Sequence, residues 1–244
     1  MCADTIKLNQ KKALMIAHRG LSGIEKENTN AAFLAAGNRS YFGIESDVRK
    51  TADGQYVMHH DAVISNTVNG LFDRKVEECT YDEIKDLVLA ERDGSTDRRD
   101  LKIPTLQEYI SICRKYDKKA VLELKGIFDK SEVQEILEII KKENYLDGVV
   151  FISFKAENCI IVRELLPEQP IQWLTDDAPT EDDMKMLCKY QFDLDIYYRN
   201  LRAEDVVKLH ENNLKVNCWC ADTQEDAKRV IDMGVDFITT NILE

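Results

Sequence analysis

The chain has 244 residues with 45 acidic and 33 basic side chains, and its formal charge at pH 7 is −12. Lysine and arginine form no cluster, so we expect no nucleic-acid partner, because binding to a phosphate backbone needs concentrated positive charge. No apolar stretch approaches the roughly 20 residues of a membrane span, and the run at 13–17 is too short for a signal sequence. The seven cysteines lack the spacing of a disulfide framework, which favours reduced thiols and a cytoplasmic location.

Short apolar runs alternate with amphipathic stretches of helical length along most of the chain. The strand patterns number eight and occupy 13–17, 43–48, 120–125, 149–154, 171–175, 194–198, 215–220 and 236–240. Helices are predicted at 81–89, 105–116, 131–143, 157–166, 181–190, 203–212 and 223–233. Ser131 and Thr223 are the predicted N-caps of two helices, and Gly234 is the predicted end of the last.

This alternation implies parallel strands joined by right-handed crossovers. Eight such units favour a (β/α)₈ TIM barrel formed as a single domain over residues 1–244, preceded by a polar extension at 1–12. An open, doubly wound sheet is the alternative.

One long connection interrupts the alternation after the second strand. Residues 51–54, with an Asp-Gly pair, predict a tight turn into a returning strand at 55–60. The segment 62–103 then carries little regular pattern, and a connection of this length is usually functional. We expect it to cap the mouth of the barrel.

Two pairs of charged residues lie two positions apart in predicted strands, so each pair projects to one side. They are Glu45 with Asp47 and Glu123 with Lys125. Taken singly, either pair is explained by an exposed strand face or a surface ion pair. Their apolar neighbours in the strands indicate that the charges point into the barrel, where a cluster of carboxylates favours a bound cation. Oxygen ligands suit Mg²⁺ or Ca²⁺.

Two of the four histidines, His18 and His60, stand where apolar runs end, which is where α/β enzymes carry their chemistry. Arg19 follows His18 and offers a bidentate grip on a phosphate. Two histidines flanking a phosphate can divide acid and base catalysis between them. We interpret His59 and His210 as structural residues.

These residues belong to an ordered series that resembles the glycerophosphodiester phosphodiesterase family from about residue 13 onward. The matching segments are His18-Arg19-Gly20, Glu27-Asn28-Thr29, Gly43–Val48, Asp53-Gly54, His60-Asp61, Pro104-Thr105-Leu106, Glu123-Leu124-Lys125, Ser153-Phe154, Trp219 and Gly234–Thr240. So many ordered matches are far more specific than a lone motif.

The resemblance implies a barrel with one active site, which hydrolyses glycerophosphodiesters to glycerol 3-phosphate and an alcohol with a divalent cation. It implies that His18 and His60 are the acid/base pair and that Glu45, Asp47 and Glu123 are the metal ligands. Arg19 and Lys125 correspond to its phosphate-contacting cations, Trp219 to an aromatic wall, and Glu27 to an acidic residue that orients Arg19 or the histidine. Asn28 is predicted to cap the following helix.

The sequence departs from the family pattern at Lys26, at Cys220, at Asn241, where an aspartate is common, and across 62–70. The divergent segment leaves the lid and the substrate preference open, and two other functions remain alternatives. One is a lysophospholipase D-like or sphingomyelinase D-like enzyme, which needs an apolar trough at the site. The other is a barrel that binds a phosphorylated metabolite without turnover, and it has no need for an acid/base pair.

Overall fold

The computed structural model describes residues 4–9, 12–65, 67 and 72–244. Residues 1–3, 10 and 11 of the predicted extension, Cys2 among them, lie outside this description, as do residues 66 and 68–71 in and beside the divergent segment. No helix in the described part of the chain is long and apolar enough to cross a membrane.

The strands of the described residues run in chain order from β1 to β11. Their bounds are β1 Leu14–Ala17, β2 Gly43–Lys50, β3 Tyr56–Met58, β4 Val63–Ile64, β5 Arg74–Lys75, β6 Lys119–Leu124, β7 Val149–Ser153, β8 Ile171–Thr175, β9 Asp193–Tyr197, β10 Val216–Trp219 and β11 Phe237–Thr240.

Eight parallel strands close into a barrel in the order β1, β2, β6, β7, β8, β9, β10 and β11, with β11 pairing back to β1. The register of the first pair aligns Ile16 with Gly43, and that of β2 with β6 aligns Asp47 with Glu123. β3 pairs antiparallel with the end of β2 through the predicted turn, in which the Gly54 amide donates to the Thr51 carbonyl at 3.0 Å. The predicted single-domain TIM barrel is confirmed, and the open sheet is excluded.

Helices surround the barrel in the described residues. They are α1 Asn30–Gly37, α2 Tyr81–Ile84, α3 Leu106–Lys115, α4 Lys130–Lys142, α5 Ala156–Leu165, α6 Glu181–Tyr190, α7 Ala203–Glu211 and α8 Gln224–Met233. Thr223 caps α8 and Gly234 ends it, as predicted. The Ser131 prediction is wrong: Asp129 caps α4, because its carboxylate reaches the Glu132 amide, and Ser131 merely bonds to Asp129. The predicted helix at 81–89 stops at Ile84.

The connection between β3 and α3 has a small core of its own. Buried apolar residues that include Ile64, Val76, Ile84, Leu89 and Leu101 pack there, separately from the main core between barrel and helices. Arg92 donates to the Gly23 carbonyl and Arg98 pairs with Glu25 at 3.2 Å, so the connection is fastened to the loop after β1. The described part of this connection therefore lies along one side of the mouth.

Candidate active site

The C-terminal mouth of the barrel holds a pocket with about 420 Å³ of empty space, a volume that includes the open solvent at its entrance. It is lined by His18, Arg19, Glu45, His60, Glu123, Lys125, Ile152, Phe154, Leu174, Asp195, Trp219 and Thr239. Seven of the nine predicted site residues are in this lining. The other two also lie here, since Asp47 contacts Lys125 and Glu27 contacts Arg19.

Three carboxylates form the most acidic part of the pocket. Glu45 and Asp47 point inward from β2, Glu123 points inward from the adjacent β6, and one oxygen of each lies within 4.8 Å of the others. Their exposures are only 3%, 1% and 6%. Asp47 Oδ1 makes no hydrogen bond among the described residues, although Lys125 Nζ lies 3.3 Å from it. A compact, buried set of oxygen donors fits a hard divalent cation.

Two side-chain cations compensate the three acids in part. Lys125 Nζ lies 2.8 Å from Glu123 and 3.3 Å from Asp47, and Arg19 Nε lies 3.7 Å from Asp47. Glu27 accepts from Arg19 Nη1 at 3.1 and 3.2 Å and so holds the guanidinium in place. Both cations face the pocket and are largely buried, so they are placed to meet an anionic group beside the carboxylates.

The pKa values of the three carboxyl groups are shifted because the groups are buried close to one another and to the two cations. Burial and the neighbouring Asp47 carboxylate raise the pKa of Glu45 well above its usual range and that of Glu123 to about 8. Burial also acts to raise the pKa of Asp47, but the charges of Lys125 and Arg19 outweigh it and hold that pKa below its usual range. A bound cation would stabilise the ionised forms of these carboxyl groups, because it adds positive charge beside them.

The loop after β1 owes its shape to two unusual backbone positions. Arg19 has a φ of 53°, a conformation that non-glycine residues seldom adopt, and its amide donates to Glu45 Oε2 at 2.8 Å. Gly20 (φ 76°) follows, and a Cβ there would lie 2.7 Å from the backbone of Ala32 in α1. The loop therefore needs a glycine at this close approach.

The prediction that Asn28 caps α1 is wrong. Thr29 is the N-cap, with its hydroxyl accepting from the Ala32 amide. Asn28 instead turns inward: its Nδ2 donates to Asp47 Oδ2 at 2.8 Å, and its Oδ1 accepts from the Ser46 hydroxyl at 2.6 Å. The left-handed backbone of Asn28 (φ 51°) allows this, and the side chain binds one of the two carboxylate oxygens of Asp47.

A hydrogen-bond chain behind His18 determines its tautomer. Asn241 Nδ2 donates to Asp222 at 2.5 Å, so Asn241 Oδ1 must face His18 Nδ1, which lies 2.8 Å away. His18 therefore carries a proton on Nδ1, and its Nε2 lies 4.0 Å from Glu45. Burial and the adjacent Arg19 charge lower the pKa of His18 to about 4, which leaves Nε2 as a free acceptor at neutral pH. Cys220 Sγ is also 3.3 Å from Nδ1.

His60 approaches the same pocket from the end of the hairpin formed by β2 and β3. Its Nδ1 lies 2.8 Å from the Asp61 carboxylate, and its carbonyl accepts two hydrogen bonds from Arg49. His59 contacts the Asp61 carbonyl and does not line this pocket. His210 lies exposed on α7 with Asp236 as its partner, so both histidines interpreted as structural lie away from the pocket lining.

Aromatic rings form the far wall of the mouth. Trp219 meets Phe154 edge to face at 5.9 Å and Tyr197 at 5.4 Å between ring centroids. Trp219 Nε1 is buried without a hydrogen-bond partner among the described residues. The wall also carries Ile152 and Leu174, so the pocket is apolar opposite its charged side.

Sequence reasoning missed three positions. Asn241 was noted only as a departure, and Asp222 was not noted, because loop residues follow no period that links them to His18. Asp195 does have a signal: it alternates with Asp193 and Tyr197 in β9, so all three face one side, as Glu45 and Asp47 do in β2.

Comparison with known proteins assigns the chain to a family. The model of the glycerophosphoryl diester phosphodiesterase family matches residues 18–244. A glycerophosphodiester phosphodiesterase of Caldanaerobacter subterraneus subsp. tengcongensis is 33% identical over 232 residues, which are 94% of each chain.

Solved structures agree with this assignment. A phosphodiesterase of Oleispira antarctica, in complex with the product sn-glycerol-3-phosphate, has a TM-score of 0.85 at 25% identity, over 93% of this chain and 92% of that one. A glycerophosphodiester phosphodiesterase of Parabacteroides distasonis has a TM-score of 0.79 at 26% identity, over 96% and 94%. The chain belongs to the glycerophosphoryl diester phosphodiesterase family.

Proposed function

We propose that the protein hydrolyses glycerophosphodiesters to glycerol 3-phosphate and an alcohol, with a divalent cation such as Mg²⁺ or Ca²⁺. The observation that carries this proposal is the meeting of three buried carboxylates, two cations and two histidines around one pocket. Family membership and the product bound to the Oleispira antarctica relative support the same substrate class.

In this proposal Glu45, Asp47 and Glu123 hold the cation. When bound, such an ion polarises phosphoryl oxygens and offsets their negative charge. Arg19 and Lys125 bind the phosphate from two sides, because both face the pocket from beside the carboxylates. Glu27 orients Arg19 through its two hydrogen bonds.

The two histidines divide the proton transfers. His18 presents an unprotonated Nε2 to the pocket and accepts a proton from the attacking hydroxyl or water. His60 donates a proton to the leaving alcohol: burial lowers its pKa overall, while the charge of Asp47 and the Asp61 carboxylate beside its Nδ1 act in the opposite direction and favour the charged imidazole. Trp219 shields the leaving group from water.

The decisive measurement is release of glycerol 3-phosphate from glycerophosphocholine, with Mg²⁺ or Ca²⁺ and then with EDTA. We expect chelation to reduce turnover at least about 100-fold, because charge stabilisation by a bound metal contributes several kcal/mol. Glu45→Gln should shift the cation concentration needed for half-maximal activity upward. Glu164→Gln, which changes an exposed ion pair between α4 and α5, is the matched control. Full activity in EDTA would refute the metal-dependent mechanism.

One observation favours a second candidate, a lysolipid phosphodiesterase. Phe154 is 37% exposed at the aromatic wall, and Ile127 in the loop after β6 is 75% exposed. These apolar side chains could accept an acyl chain. If lysophosphatidylcholine reacts and glycerophosphocholine does not, this second function replaces the first, and if neither reacts the barrel binds its ligand without turnover.

A cytoplasmic location remains part of the proposal. Its support is that the cysteines of the described residues are free thiols: Cys79, Cys113, Cys159, Cys188, Cys218 and Cys220. Free thiols are the usual state in a reducing compartment.

A further inference from the structure

A belt of buried polar side chains lies beneath the aromatic wall, on the inward face of neighbouring strands. Asn217 on β10 donates to Gln172 at 3.1 Å and to Thr239 at 3.0 Å, and it lies in register with Asp195 on β9. All four are at most 3% exposed. Polar groups at this depth normally satisfy one another, because an unpaired one costs free energy.

One polar atom of this belt has no hydrogen-bond partner among the described residues. It is Oδ1 of Asp195, a residue that is 1% exposed. Asp195 and Thr239 also line the pocket, so this free oxygen belongs to a group at the pocket floor. Asp195 is thus a buried carboxyl that lines the ligand cavity and has an oxygen that no described residue satisfies, and these two facts together indicate a donor supplied by the ligand.

The position of Asp195 in the barrel restricts what that donor can be. In the closed order of eight strands, β9 stands four places from β2 in either direction, so Asp195 lies diametrically opposite Glu45 and Asp47. A phosphate beside the carboxylates of β2 and β6 is therefore across the pocket from Asp195. Only a group several bonds from phosphorus can reach it.

We propose that Asp195 is a specificity-determining residue that binds the terminal hydroxyl of the glycerol moiety, the hydroxyl farthest from phosphorus. This inference rests on the proposed function and deepens it, because it assigns the polyol to the floor beneath the aromatic wall. The alcohol on the other ester bond then extends toward the exposed rim at Phe154. Asp195 becomes the residue that distinguishes a glycerol ester from a shorter or less hydroxylated one.

A hydroxyl fits this position better than an ammonium group. Burial and the charge of Glu123 raise the pKa of Asp195 well above its usual range, which favours the protonated form of its carboxyl group. An uncharged carboxyl exchanges hydrogen bonds with a hydroxyl, which both donates and accepts, but gains little from a cation. The ammonium group of a choline or ethanolamine ester is therefore not expected to bind at Asp195.

The test compares two p-nitrophenyl phosphodiesters with wild type and Asp195→Leu. One carries glycerol, and the other carries 2-hydroxypropyl, which lacks only the terminal hydroxyl and keeps the hydroxyl beside the phosphate-bearing carbon. We expect wild type to prefer the glycerol ester about 10- to 100-fold in kcat/KM, the effect of one buried hydrogen bond. Asp195→Leu should abolish this preference, mainly by lowering kcat/KM for the glycerol ester.

Asp195→Asn is the conservative variant, because its amide keeps an oxygen acceptor at the same position. It should retain part of the preference. If Asp195→Leu reduces both esters by the same factor, Asp195 only supports the fold and the inference is wrong. The inference is also wrong if Asp195→Leu keeps the wild-type preference for the glycerol ester.

Failure of the proposed function is recognisable separately. If wild type cleaves neither ester nor glycerophosphocholine, the hydrolytic function fails, but calorimetric binding of glycerol 3-phosphate and 2-hydroxypropyl phosphate still tests Asp195. Tighter binding of glycerol 3-phosphate in wild type and equal binding of the two in Asp195→Leu support the assignment. Equal binding in wild type overturns it.

Discussion

In the two halves of the barrel interior, the polarity of the inward side chains changes in opposite directions from the N-terminal to the C-terminal ends of the strands. On β1, β2 and β6 the inward residues go from apolar or small to charged, as in Val121 followed by Glu123. On β8, β9 and β10 they go from polar to apolar or aromatic, as in Asn217 followed by Trp219. The first half concentrates charge at the mouth for a phosphate and a cation. The second buries its polar groups under rings and so determines which organic group enters.

This difference predicts where a mutation acts. Changes in the charged half should alter the chemical step and therefore kcat, whereas changes in the opposite half should alter the choice of substrate and therefore KM.

The largest effect is expected from His60→Ala in the charged half. Loss of a general acid reduces turnover by about 100- to 10,000-fold. The backbone of His60 stays anchored by Arg49, so folding should be preserved. Steady-state kinetics with glycerophosphocholine and a thermal melt check both expectations.

The adjacent histidine supplies the matched control. His59→Ala removes the same ring one position away, from a residue that bonds to a backbone carbonyl outside this pocket. We expect its turnover to stay within about threefold of wild type. Equal losses in the two variants would contradict the separate roles of the two histidines.

The next effect concerns the hydrogen-bond chain behind His18. Asn241→Asp loses the amide that donates to Asp222 and places two carboxylates together. We expect kcat to fall about 10-fold or more with KM nearly unchanged, because the imidazole loses its fixed orientation.

Asn241→Asp combined with Asp222→Asn reverses the partners and restores one carboxylate and one amide. The double variant should recover most of the activity, while Asp222→Asn alone should not improve on wild type. No recovery would mean that the chain orients the loop and not His18. The ring nitrogen shifts of His18 in an NMR spectrum report its tautomer directly.

A smaller effect is expected from Phe154→Ala at the aromatic wall. The ring covers Trp219 edge to face and lies 5.7 Å from Lys125 Nζ. Its loss should raise KM about 3- to 10-fold with little change in kcat, since one aromatic contact contributes roughly 0.5–1.5 kcal/mol. Val207→Ala, at an exposed apolar residue of α7 outside the pocket lining, is the control. A fall in kcat alone would mean that Phe154 affects the chemical step and not substrate binding.

The same division explains what the sequence could and could not predict. The barrel, its strand order and the charged half follow from apolar runs and from carboxylates spaced two apart, because both are periodic signals. Asn28 was predicted as a helix cap, and its actual contact with Asp47 depends on a left-handed backbone that no period indicates. Asn241 and Asp222 reach His18 across loops, and only three-dimensional packing brings them together.

The smallest expected effect separates a ligand-binding carboxyl from a merely buried one on the same strand. Asp193 stands two residues before Asp195, half-buried at the bottom of β9, where it accepts a hydrogen bond from the Lys215 amide. Burial raises the pKa of Asp193 to about 6 from 3.8. A carboxyl with a raised pKa in the folded state stabilises the fold while it is protonated, and this contribution is lost as the pH rises through about 6.

Asp193→Asn keeps the acceptor oxygen but never ionises. Relative to wild type, its melting temperature should therefore be higher by about 1–4 °C at pH 8, and the difference should shrink toward zero at pH 4.5. Thermal melts at both pH values measure it, and Asp232→Asn, at an exposed residue paired with Lys228, should show no such gain at pH 8. Kinetics of Asp193→Asn should match wild type on both the glycerol and the 2-hydroxypropyl esters. A changed preference between those esters would mean that the substrate-binding floor extends below Asp195 and includes Asp193. The two buried carboxyl groups of β9 would then both contribute to substrate binding.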